Sequence, residues 1–524
     1  MQVRTIAKAT FSLALLLLVC DSQALAQQGY GEVTFANSGP AAAQASFLLG
    51  LAQLHDFEYQ SAAEQFRKAE SIAPDFAMAY WGEAMTYNHP IWHEQNLAGA
   101  RAVLARLGPT PEARLAKAPT EREKMYLRAV EVLYGNGSKA ERDLAYEAAM
   151  ADLYRKFPDD VNAAAFYALS ILGTAEHGRD FATYMRAAAV LEGVFPQNPR
   201  HPGVIHYMIH CYDDPIHAPL GLRAARIYAQ VAPSAPHAQH MTSHIFLALG
   251  MWDDVVKANE TATTVVNRER QSAGKPPRMC GHYNYWLEYG YLQQGRMDAA
   301  RKVLEGCREE ADREAGGGGR ENDPDPDTYS VGSYAAMRTR FLIDSQLWND
   351  PVVEWKLPAG NYPFARFGFD YASAFAALQR GDLATARVLI SQVESDRQAA
   401  ESTLTKGSDR TPEDSTRLEI LTGQLQALLL IAEGNKAGGL QQLQGLEKLE
   451  AQMPLQFGPP YVDKPTAELL GQELLQDGRP SDAVAMFEEA LSRAPGRKLS
   501  QAGLVTAQND AAKAPAIHAG EATQ

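Results

Sequence analysis

The chain has 524 residues, with 49 basic against 63 acidic residues for a formal net charge of −14, and it holds 13 histidines and 4 cysteines. An acidic balance without a basic block argues against a nucleic-acid partner. The length exceeds a usual single domain unless the architecture is repetitive.

The chain opens with MQVRTIAKATFSLALLLLVCDSQALAQQGY, which has the build of an export signal. Arg4 and Lys8 make a positive start, Phe11 to Val19 is a short apolar run, and Ala24-Leu25-Ala26 fits a small-x-small cleavage site. The run is too short to span a bilayer, and no later segment is apolar enough to do so. The expectation is therefore a signal peptide over 1–26 and a secreted or periplasmic product without a membrane span. Of the three cysteines beyond it, Cys280 precedes one helical stretch and Cys307 ends the next. In an antiparallel helix pair those two ends are neighbours, so Cys280–Cys307 is the expected disulfide and Cys211 the free thiol.

Helical punctuation recurs along the chain. FLLGLAQLHDFEYQSAAEQFRKAESIAPDF places Leu49, Gly50, Ala62, Phe66, Ala69 and Pro74, and AELLGQELLQDGRPSDAVAMFEEALSRAP repeats the order with Leu470, Gly471, Gly478, Ala483, Phe487, Ala490 and Pro495. Small residues let two helices approach, a large apolar one fills the gap, and proline stops the second helix. Both segments resemble the tetratricopeptide (TPR) family, whose unit is an antiparallel helix pair. The resemblance implies an all-α fold, a helical-repeat solenoid of TPR-like helix pairs; its architecture says nothing of activity. The expected organisation is helical repeats over 27–313, a flexible Gly and Asp-Pro loop over 314–330, further repeats over 331–495 and a disordered tail over 496–524. A second polar connection lies at 401–415.

Seven histidines fall between His201 and His244. Pro202 opens one helix, on which His206 and His210 lie about 40° apart. Pro236 opens another, on which His237, His240 and His244 share a face about 60° wide. PLGLRAARIYAQVAP between them is itself helical, so the two histidine helices are equivalent members of successive pairs. Two H-x-x-x-H pairs then share a groove and can chelate a cation, with His201 or His217 as an added ligand. His89 and His93 form a smaller group that can edge the same cavity. Against this stands a polar groove that binds a peptide or an anionic ligand, or plain surface decoration.

All-imidazole ligands suit copper, zinc or iron. The pattern lacks the Glu-x-x-His of di-iron bundles and the H-E-x-x-H of zinc proteases, and in spacing it resembles the paired-histidine dicopper centres of tyrosinases and oxygen carriers. That resemblance implies copper and oxidation of a small organic substrate, with Tyr207, Tyr212, Tyr228 and Trp252 around the site. A single zinc would instead favour hydrolysis, with His217 or Asp214 accepting a proton. The third reading is a non-catalytic scaffold whose TPR surface binds a peptide or an envelope protein. No catalytic residue and no substrate are legible.

Overall fold

The computed structural model describes residues 29–175, 178–315, 330–404 and 412–513. The expected signal peptide, most of the 314–330 loop, part of the 401–415 connection, and His177 and His518 lie outside the described residues. Those residues form 23 α-helices and one antiparallel hairpin of two-residue strands, in which Asn88 pairs with Gln95 and His89 with Glu94. The fold is an all-α helical repeat of TPR-like pairs. No helix among the described residues is long and apolar enough to cross a membrane.

Two compact units divide the chain: residues up to Asp213 with Pro219–Ile245, and Asp214–Ala218 with Phe246 onward. The division falls inside the second histidine helix, not at 314–330. The helices flanking that segment instead share one core, in which Leu304, Cys307 and Ala311 pack with Val331, Tyr334 and Ala335. A disulfide joins Cys280 to Cys307, with Cα atoms 4.5 Å apart, and Cys211 is a buried free thiol.

The small-large rule of the repeats is visible in two places. Phe66 is fully buried, and its ring lies where side chains on Gly50 and Gly82 would be: a Cβ on Gly82 would sit 2.3 Å from a ring carbon. Phe487 stands in the same relation to Gly471 and Gly503, again at 2.3 Å for Gly503. One phenylalanine thus wedges between the glycine of its own pair and the glycine of the next helix.

That second wedge corrects the expected disordered tail, because Lys498–Lys513 is a helix. Its start is anchored by buried charge. Arg497 is fully buried and bonds Glu468 at 2.8 Å and Asp344 at 2.6 Å, while Lys464 bonds Glu468 at 2.8 Å. Ser500 adds a bond to Glu468 at 2.5 Å. An alanine-rich, polar stretch looks unable to pack, but here one arginine and Gly503 dock it.

Six helix pairs turn through the same backbone geometry. In five of them the residue two before the second helix is a left-handed glycine: Gly250 (φ 67°), Gly295 (75°), Gly381 (73°), Gly434 (94°) and Gly478 (72°). Each donates its N–H three residues back, and the next residue donates five back, as in Gly295 to Leu292 and Arg296 to Tyr291. The first pair makes the same two bonds, Phe57 to Leu54 and Glu58 to Gln53, but carries a phenylalanine at φ 58°.

Substituting Gly82 or Gly503 by alanine forces overpacking and is expected to cost about 1–3 kcal/mol in urea unfolding. Gly445→Ala, where a Cβ meets nothing within 4 Å, should instead stabilise its helix by up to about 1 kcal/mol. Burial, and then the neighbouring Asp396 carboxylate, push Asp370 from 3.8 to about 6. The folded state therefore binds the extra proton between those values, and stability falls as pH rises through that window. Asp370 is only half-buried, so Asp370→Asn should raise stability at pH 7 by about 1 kcal/mol after solvent screening, with no gain below about pH 4, as followed by thermal unfolding.

Candidate metal centre

The first histidine helix is Pro202–Tyr212, and every residue in it is buried. Its start is capped by His201, whose Nδ1 accepts from the Val204 amide at 3.3 Å. At its other end the Arg179 guanidinium donates to the carbonyls of His210 (3.0 Å) and Cys211 (3.2 Å), two acceptors that a helix leaves open. Gly203 keeps the first turn bare: a Cβ there would sit 2.2 Å from Nδ1 of His55. His55 can therefore lie against the helix, and its carbonyl accepts from Nδ1 of His206 at 2.7 Å. With its proton committed at Nδ1, neutral His206 presents a lone pair at Nε2.

The second histidine helix is Pro236–Ala248. Its first turn is held by Glu58, whose carboxylate accepts from the His237 amide at 3.2 Å, a favourable place for negative charge. Nδ1 of His244 meets the buried Asp213 carboxylate at 2.5 Å. A carboxylate or a carbonyl behind an imidazole sets its tautomer and raises its basicity as a ligand.

These constraints turn the imidazole tips together. Nε2 of His206 lies 3.2 Å from Nε2 of His210, and Nε2 of His240 lies 3.1 Å from Nε2 of His244. Ligand nitrogens of His206, His210 and His237 all fall within 4.8 Å of one another. Ring centroids close the circuit: His206–His237 at 5.0 Å, His237–His240 at 6.2 Å and His210–His244 at 6.0 Å. At metal–nitrogen distances of about 2.0–2.1 Å, two nitrogens on one ion stand about 2.9 Å apart at a right angle and about 3.4 Å apart in a tetrahedron. Both observed pairs fall between those edges.

Electrostatics agree with the geometry. Burial, and then neighbouring imidazoles, hold His206 and His210 well below the usual histidine range. Both are neutral at pH 7, the form in which imidazole ligates. His55 is lowered to about 4 by burial, against a hydrogen bond to Asn162. Tyr228 stacks on His206 at 5.4 Å and donates to Asp56 at 2.7 Å. Tyr207 also lies on His206, at 5.4 Å, whereas Tyr212 turns away to Glu192.

Four sequence candidates are placed elsewhere. His201 spends Nδ1 on its helix cap and points Nε2 at Asn162, 3.2 Å away, so it adds no ligand. His217 faces the Asp214 carboxylate at 3.0 Å in the second unit, where Trp252 also belongs. His89 bonds Glu94 and the Thr86 carbonyl, each at 3.2 Å, and stacks on Tyr59. His93 sits in a left-handed turn after the 3-10 helix Pro90–Trp92 and belongs to no ligand-distance group among the described residues. Sequence reading missed His55 and Asp213. Asp213 was within reach, as the first residue after the histidine helix. His55 lies more than a hundred residues away in a different pair, with no local signal.

No family model matches the chain, and no curated protein is similar to it. Among solved structures, the APC/C hetero-tetramer Cut9-Hcn1 is similar at 11% identity and a TM-score of 0.36, covering 94% of this chain and 81% of that one. Yeast Tom70 is similar at 11% identity and 0.31, covering 90% and 89%. The human IFIT1 dimer with m7Gppp-AAAA is similar at 12% identity and 0.34, covering 95% and 88%.

The carboxylate behind His244 supplies a direct test of whether the paired tips act as ligands. Asp213→Asn should weaken retention of an ion at the centre about 10–100-fold, read by competition with a chromogenic chelator. Far-ultraviolet circular dichroism should stay unchanged.

Proposed function

We propose that this protein is a metal-binding helical-repeat protein whose ion is held by His206, His210 and His237, with the His240 and His244 pair beside it as further ligand candidates. The observation that carries the reading is the approach of ligand nitrogens from the buried His206 and His210 and the partly buried His237 to within 4.8 Å of one another. An all-nitrogen set favours copper, with zinc and iron as competitors. The residues fit such an ion: His206 and His210 are neutral, the tips of His206 and His210 and of His240 and His244 converge, and the backs of His206 and His244 meet a carbonyl and a carboxylate. A bound copper ion would supply one-electron chemistry, and the finer form of the proposal is oxidation of a small organic substrate. In this reading the export signal over 1–26 delivers the protein to the periplasm or the exterior. His206 and His210 hold the ion from one histidine helix and His237 from the other, while Asp213 and the His55 carbonyl keep the protons of His244 and His206 on the outer nitrogens.

A second reading is favoured by the TPR-like pairs themselves. A stack of such pairs offers a surface for a peptide or protein segment, and the histidines would then serve architecture alone. In that case a partner would be retained equally with and without chelator. A zinc-dependent hydrolase is the further alternative, distinguished by a colourless ion.

Elemental analysis with absorption spectra in air and after reduction separates these readings. The expected result is at least one transition-metal equivalent per chain. His206→Ala with His237→Ala should reduce affinity at least about 100-fold, two lost ligands at roughly 1.4 kcal/mol or more each. A folded protein that holds no ion as purified, and takes up none from copper, zinc or iron salts, rules the proposal out.

A further inference from the structure

Phe57 is the one residue among the six equivalent turns that is not glycine, and its turn stands beside the histidine centre. A bulky side chain in the left-handed region costs on the order of 1–2 kcal/mol, and such outliers collect where the surroundings demand them. The ring shows what demands this one. Its centroid lies 4.3 Å from His206, 5.6 Å from His237 and 5.8 Å from His210. The next residue, Glu58, holds the start of the second histidine helix, so the turn is tied to the centre on both counts.

The same ring is a wall of a cavity of about 20 Å³, lined also by Tyr59, Phe166, Leu169 and Tyr207. That space fits about one water or one diatomic molecule. Most polar groups on its wall already hold a protein partner. Ser170 donates to the Tyr167 carbonyl at 2.7 Å, the Tyr146 hydroxyl points at the Met85 sulfur, and Tyr207 bonds His55 at 3.0 Å. Asn88 accepts from Gln95 and Asp143 pairs with Lys139. The buried Tyr59 hydroxyl has none, and Leu54, Met85, Pro90, Phe166 and Leu169 make much of the remaining wall apolar. The cavity therefore suits a small neutral occupant.

We propose that this cavity receives a small neutral molecule of diatomic size, and that the Phe57 ring is the gate between it and the histidine centre. The gate rests on the metal reading for what lies beyond it; the cavity does not. Six turns with one backbone geometry also supply the cleanest variant. Phe57→Gly removes the ring while installing the residue that the other five turns use, so the fold is retained.

Xenon is the probe for the cavity in metal-free protein. The ¹²⁹Xe resonance should shift saturably with the unaltered protein, lose that shift in Ser170→Leu, which fills the space, and exchange faster in Phe57→Gly. Carbon monoxide is the probe for the gate in copper(I)-loaded protein. Its association rate, followed by the infrared stretch of the bound gas, should rise roughly tenfold in Phe57→Gly while the equilibrium affinity changes much less. The absence of saturable xenon binding overturns the cavity, and an unchanged association rate overturns the gate. If the chain takes up no copper, the metal reading fails by itself and the xenon exchange rate decides between gate and fixed wall.

Discussion

An imidazole taken out of water must be neutral, and both of its nitrogens must still find partners. Every feature around the two histidine helices follows from that constraint. His206 and His210 are buried and held uncharged. The back of His206 is met by the His55 carbonyl and that of His244 by the Asp213 carboxylate. What remains is a set of Nε2 atoms at 3.1 and 3.2 Å from one another. Two lone pairs at that distance repel unless a proton or a cation lies between them. A shared proton settles this for one pair, and a cation held by His206, His210 and His237 is the proposed alternative.

The repeat architecture supplies the convergence without any dedicated scaffold. In helix pairs of this kind, equivalent helices stand side by side, so a face repeated on alternate helices becomes a shared wall. Glycine turns make five of the pairs compact, and wedged phenylalanines fix the spacing around Phe66 and Phe487. Among the six equivalent turns, the one without glycine, at Phe57, occurs where a ring packs against the imidazoles. The departure therefore belongs to the site and not to the repeat.

Much of this was legible in the residues. The small and large positions around Phe66 and Phe487 predicted helix pairs, and spacings of three and four predicted which histidines share a face. The grouping of His206 and His210 with His237 follows from those angles and from the helix that separates the two histidine helices. Sequence alone did not place His201, because a histidine before Pro202 can cap a helix as readily as join a groove. Nor did it place His89, which bonds Glu94 within its own hairpin and stacks on Tyr59. The tail was misjudged because composition registers alanine and polar residues but not the buried partners waiting for Arg497. His55 was beyond reach, since a backbone carbonyl contributed by a distant pair leaves no mark on the sequence.

The extended segment at residues 29–36 completes the argument for a site set by packing. Residues 31–36 alternate buried and exposed, with Gly31, Val33 and Phe35 inward, the period of an extended strand. This strap accepts from the Ser234 amide through Gly29, just before the second histidine helix. It donates from Glu32 to the Arg200 carbonyl, just before the first. Thr34 accepts from Asn162, the same side chain that meets His55 and His201. One extended strand thus ties the starts of both histidine helices and the residue that backs His55. Loops hold such positions loosely, whereas a strap bonded at three points makes the separation of the two helices a property of the folded unit. The separation of the two histidine helices is in that sense tied to backbone hydrogen bonds made just before the start of each.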